Sequence, residues 1–148
     1  AVQEEVGDFA GSRTMAFELQ PTVAVAVDVT HATDVRGADV EDDGDHRLGS
    51  GPAIGRGSTL HPKIFELLYE TAEAEGIAAT VEVSRGHTYT DADAVHLSRA
   101  GVATGLVSIP LRYMHTPVEV VHLDDVENVV KLLVAFARRL EPGLSFAR

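Results

Sequence analysis

The chain has 148 residues, 45% of them hydrophobic, and a formal net charge of −11. That length builds one domain with a real core, and the acidity excludes a nucleic-acid-binding surface, which needs clustered Lys and Arg. With no cysteine there is no disulfide framework, thiolate metal site or cysteine nucleophile, so the cytoplasm is the expected location. No apolar run is long enough to span a bilayer, and no membrane partner is expected.

The predicted elements alternate. Val2 to Glu5 reads as a strand end, and Ala1–Gly7 as a strand running into a polar turn, so the chain is expected to be part of a longer protein. Asp8 or Ser12 is positioned to cap a helix through about Phe17. Thr22–Asp28 is a run of small and β-branched residues suited to a strand buried on both faces. Residues 35–51 read as a polar loop. Its Asp42, Asp43 and Asp45 lack the alternating spacing of a calcium loop. Gly51–Gly57 is a short strand without a phosphate-binding glycine pattern.

His61-Pro62 opens a helix whose Ile64, Leu67, Leu68, Thr71 and Ala72 share one face, and Gly76 ends it. Ile77–Ser84 is a strand. Thr90 caps a helix predicted from Asp91 to about Ala100, and Gly101 stops it. Val102 opens the next strand, which Pro110 is expected to stop. The last helix starts at Asp124 and Asp125, with Val126, Val129, Val130, Leu133, Ala137 and Leu140 as its core stripe. The order implies an α/β fold, helices on a mainly central sheet.

Four sets of chemical groups fall at strand ends: Glu4-Glu5, Asp28, Asp91 and His115. Carboxylates and imidazole without thiolate are the ligands of a hydrolytic zinc, cobalt or manganese site. Each also has an ordinary reading: surface charge for the glutamates, a turn residue for Asp28, a helix-start charge for Asp91, a core histidine for His115. Spacing alone does not choose. No H-E-x-x-H or G-x-S-x-G occurs. His46, His61, His96 and His122 read as structural or surface residues, and His31 as a turn or supporting residue.

Five ordered blocks carry a resemblance: Gln3-Glu-Glu-Val-Gly7, Val27-Asp-Val-Thr-His-Ala-Thr-Asp34, Leu48-Gly-Ser-Gly-Pro52, Thr90-Asp-Ala92 and Ile109-Pro-Leu-Arg-Tyr-Met-His-Thr-Pro-Val-Glu119. Together they resemble the tetrahedral and glutamyl aminopeptidases, two-metal metallopeptidases that have also carried cellulase and endoglucanase names. The match resembles the C-terminal part of that family's catalytic domain. The resemblance implies a three-layer αβα sandwich with a mixed, mainly parallel sheet. It implies an aminopeptidase that removes N-terminal residues from peptides, working as a homo-oligomer with two divalent ions, zinc or cobalt. It also implies roles: Glu4 as general base, then acid; Glu5 and His115 on one metal; Asp28 on the other. The family's remaining ligand segment and its inserted β-barrel are expected upstream of Ala1, so the 148 residues alone are expected to be inactive. Two other readings stand beside this one: a non-catalytic α/β assembly module, and an endoglucanase, which the absence of tryptophan disfavours. Tyr89 and His87 replace a glycine-rich turn before Thr90 and are expected to reshape the substrate pocket. Glu119 is expected to support the turn after Tyr113.

Overall fold

The computed structural model describes Glu4 and residues 8–147. In chain order these form α1 (Ala10–Leu19), β1 (Val23–His31), α2 (Val40–Asp43), β2 (Ala53–Gly57), α3 (Pro62–Ala74), β3 (Thr80–Ser84), α4 (Ala92–Val95), β4 (Ala103–Arg112), β5 (Val120–Val121) and α5 (Leu123–Arg138). The strands make one sheet in the order β1-β4-β2-β3, with β5 pairing the end of β4. β1 runs parallel to β4 and β2 to β3, while β2 is antiparallel to β4. Helices α3 and α5 pack on each other and on one face of the sheet; α1 and α4 pack together on the β1–β4 side of the other. The result is the expected three-layer α/β sandwich with a mixed, mainly parallel sheet.

Strand alternation sorts the side chains between the layers. On β1, Val23 and Val25 join the larger cluster of Ile54, Ile64, Leu68, Val107, Leu132 and Phe136. Ala24 and Ala26 face the opposite way, toward small clusters around Val95 and Leu106. Each fully buried aliphatic side chain in the larger cluster contributes roughly 1.5–3 kcal/mol.

Several boundaries differ from expectation. Neither Asp8 nor Ser12 caps α1. Its N-cap is Phe9 in the left-handed region, while the Ser12 hydroxyl donates to Phe9 O and Asp8 pairs with Arg13. The predicted strand end at Val2 to Glu5 lies outside the described residues except for Glu4, which sits in a bend. The acidic loop contains one turn of helix, α2, because Asp39 accepts hydrogen bonds from Glu41 N and Asp42 N. α4 ends at Val95 rather than near Ala100. The Thr90 hydroxyl does accept from Ala92 N, but Arg99 is left-handed and the chain leaves the helix through successive turns.

Pro110 does not stop β4. The β2 ladder on β4 holds only Ile54↔Val107 and Ala53↔Ser108, and β5 begins opposite Leu111. Pro110 falls in the gap between these ladders, where a missing N–H costs no sheet hydrogen bond. Its other side stays in register with Thr30.

The α5 stripe is also rotated. Asp125, Val129, Leu132 and Phe136 are buried, whereas Val130 is 57% exposed and Val126 sits at the surface. Asp125 turns inward because its carboxylate accepts from Gly49 N and Gly51 N, each at 2.8 Å.

Candidate active site

Parity along β1 decides where Asp28 points. It lies on the Ala24–Ala26 side, past the part of the sheet that α4 covers, near the C-terminal end of a parallel strand. Ligands of open α/β sheets bind at such ends. Asp28 is in register with Ser108 of β4. A cavity of about 520 Å³ opens there, and Glu4, Asp28, Glu82, Tyr89, Met114 and His115 are among its walls. Three predicted site residues, Glu4, Asp28 and His115, thus meet at one cavity although they are far apart in sequence. Glu5 lies outside the described residues.

His115 reaches the cavity through a strained turn. β4 ends at Arg112, and both Tyr113 and His115 adopt left-handed backbone, with φ 61 and 62°. That conformation costs roughly 1–2 kcal/mol for each residue carrying a Cβ. The turn is closed by Thr116 N donating to Tyr113 O at 3.1 Å and by the Glu119 carboxylate accepting from His115 N at 2.6 Å. Glu119 therefore supports the turn, as expected. Upstream of it, Arg112 Nε donates to Asp34 Oδ1 at 2.9 Å. A second bond from the same guanidinium makes the pair bidentate. It holds the exit of β4 to the loop after β1, and the Arg112 guanidinium keeps the Asp34 carboxyl below the usual carboxylate range.

The second wall is the turn before α4. Tyr89 is left-handed with φ 57° and exposed. The Asp93 carboxylate ties this turn together by accepting from Thr88 N and Tyr89 N. Strained non-glycine residues on two sides of one cavity are where function tends to be found.

The electrostatics are one-sided. Burial pushes the Asp28 carboxyl above its usual range, opposed by its hydrogen bonds with Val29 N and Glu4, and reinforced by the nearby charges of Asp91 and Glu82. Asp91 Oδ1 is buried without a hydrogen-bond partner among the described residues. No Lys or Arg is among the described residues lining the cavity. Carboxylates and imidazole around a space lacking cations are the donor chemistry of a divalent metal, so Asp28 and His115 fit such an ion. Among the described residues, however, no three His, Asp or Glu side chains form a group that could hold one.

Glu82 escaped the sequence reading. It is a lone carboxylate in the apolar strand Thr80-Val-Glu-Val-Ser84, in register with Gly55 of β2. That charge at a strand position facing a glycine was the available signal. A larger cavity, about 980 Å³, lies at the start of α3 beside Arg56, Lys63 and Phe65. Its cations are already engaged, Arg56 over the Phe65 ring and Lys63 on Ser145 O, and none of Glu4, Asp28, Glu82 and His115 lines it. Among the described residues, no helix is long and apolar enough to cross a membrane.

Comparison with known proteins shows the family. Residues 1–132 match the M42 glutamyl aminopeptidase family. The lysyl aminopeptidase of Pyrococcus furiosus is 39% identical over 144 residues, covering 96% of this chain and 40% of that protein. An aminopeptidase structure from the archaeon Desulfurococcus kamchatkensis superposes with a TM-score of 0.84 at 42% identity, over 96% of this chain and 41% of the other. A TET peptidase of Pyrococcus horikoshii, which can assemble into a tetrahedron or a large octahedral shell, is 31% identical with a TM-score of 0.73, over 93% and 39%. The chain thus spans about 40% of the length of these relatives. By sequence and by fold, this chain belongs to the M42 glutamyl aminopeptidase family.

Proposed function

We propose that these residues form one side of the catalytic site of a metal-dependent aminopeptidase. The observation that carries this reading is the convergence of Glu4, Asp28 and His115 on a cavity whose described lining holds no Lys or Arg. Asp28 would hold one divalent ion, and His115 with Glu5 a second. Zinc or cobalt suits this set of carboxylate and imidazole donors. Bound there, the ions would supply electrophilic assistance to the peptide carbonyl and a water activated near neutral pH.

The chain's own residues would do the remaining work. Glu4 lines the same cavity as Asp28 and His115, where it would take a proton from the activated water and pass it to the leaving amine, the behaviour expected of a general base that later acts as acid. The His115 turn and the Tyr89 turn would orient a peptide end between them, and Tyr89 with His87 would shape the pocket for its first side chain.

A homo-oligomeric assembly is part of the proposal, supported by the relative that forms closed shells. A non-catalytic role in assembly is the second reading. The favouring observation is the exposed apolar row Val126, Val130 and Val134 on α5.

The test uses the complete peptidase containing these residues and the isolated 148-residue chain. An aminoacyl-p-nitroanilide is the substrate, with zinc or cobalt titrated in. The complete enzyme should turn over only with metal, and Glu4→Gln should lower kcat at least about 100-fold, as loss of a general base does. The isolated chain should show little turnover, since it spans only about 40% of the length of its relatives. Metal-independent hydrolysis would overturn the proposal, as would full activity of the Glu4→Gln variant.

A further inference from the structure

We infer that Glu82 is the point at which this cleft recognises a primary ammonium group of its substrate. The inference rests on the aminopeptidase reading above and adds the residue that selects for charge.

Glu82 stands on β3 in register with Gly55 of β2, and its side chain reaches past β2 to β4 and β1. Its Oε1 accepts from Thr30 Oγ1 at 2.6 Å and its Oε2 from Ser108 Oγ at 2.8 Å. One carboxylate is thereby tied to β1 and β4 together. Ser108 is the register partner of Asp28, and Thr30 lies two residues past Asp28 on the same face. Glu82 also lines two cavities. One, about 520 Å³, holds Asp28 and His115; the other, about 510 Å³, reaches Arg85 and His87.

A carboxylate offers about four lone-pair positions, and the two hydroxyls use two. Among the described residues no Lys, Arg or His forms an ion pair with Glu82. Thr30 and Ser108 fix the group's direction without neutralising it. Ordering entropy that a ligand would otherwise have to overcome is already spent. A group of opposite charge with several N–H donors is the complement of such a site, and charge-assisted hydrogen bonds are the strong ones. On a peptide, that group is either the terminal ammonium or a lysine-type side chain.

The experiment reads binding, not turnover, so its failure is separable from failure of the peptidase reading. The purified 148-residue chain is treated with EDTA, so that no bound cation competes. It is then titrated with three amides, followed by amide shifts in NMR. L-Norleucinamide carries only the α-ammonium, Nα-acetyl-L-lysinamide only the side-chain ammonium, and N-acetyl-L-norleucinamide neither. At least one charged probe should bind about ten-fold or more tightly than the neutral one, and Glu82→Gln should remove that gain. Which charged probe gains identifies the source of the ammonium. Three results overturn the inference: the neutral probe binds the wild-type chain as tightly as both charged ones; the gain persists in Glu82→Gln; or no probe binds.

Discussion

Replacing Asp125 with alanine should destabilise the domain more than any other change to a carboxylate outside the cleft. Asp125 is 0% exposed, and both its oxygens accept backbone N–H groups, from Gly49 and Gly51, at 2.8 Å. Alanine leaves both donors without an acceptor. Each unsatisfied donor costs about 1–3 kcal/mol, so the pair costs roughly 2–6 kcal/mol before relaxation. Loss of a negative charge in the first turn of α5 adds about 0.3–1 kcal/mol. A total near 3 kcal/mol is a large part of a domain stability of roughly 5–15 kcal/mol. Urea unfolding followed by far-UV circular dichroism measures it. With a slope of about 1–3 kcal/mol per molar urea, the midpoint should fall by roughly 1–3 M. The control is Asp124→Ala, in the same helical turn but solvent-exposed, which loses the same first-turn charge and leaves the buried Asp125 contacts intact. Equal midpoints for the two variants would refute the reasoning, since the buried hydrogen bonds would then contribute nothing.

Other outcomes follow from the same structure. Gly51→Ala should fail to accumulate as folded protein, because a Cβ there would stand 1.8 Å from Ala78 O, at a φ of +85°; a soluble variant with a wild-type melting curve would contradict this. Asp34 has its folded pKa lowered by Arg112. Its contribution is therefore complete above the unfolded value of about 4 and disappears as pH falls through the lower folded value. Urea midpoints of Asp34→Asn should accordingly change less with acidification than those of the wild type. Asp28 has the opposite sign: its folded pKa is raised, so stability falls as pH rises above the unfolded value of about 4, and the loss is complete once pH exceeds the raised folded value. In metal-free protein at pH 7, Asp28→Asn should raise the melting temperature. The same variant should lose the stabilisation that zinc or cobalt produces, measured by thermal melting with and without metal.

Much of the fold was legible because local signals and tertiary packing agreed. On α3, Pro62 at the start, Ile64, Leu68, Thr71 and Ala72 on one face, and Gly76 at the end all point to the same helix, and those four residues are buried. α5 misled because valines occupy two faces. Val126 and Val130 satisfy helical spacing as well as Leu132 and Phe136 do, and only contact with α3 and the sheet chooses the second set. An aspartate in the core stripe was invisible for the same reason: its partners are the Gly49 and Gly51 amides, more than seventy residues away in sequence.

The sequence by itself determined the α/β alternation, the acidic character and the family to which the chain belongs. These depend on residue types and their local order. Tertiary structure alone decided that Pro110 lies within a strand, because that depends on where neighbouring strands stop. It also decided that Glu4, Asp28 and His115 share one cavity, and that Glu82 of β3 lines it with them. Which distant side chains meet is set by strand order and register, and these emerge only when the sheet closes on its helices.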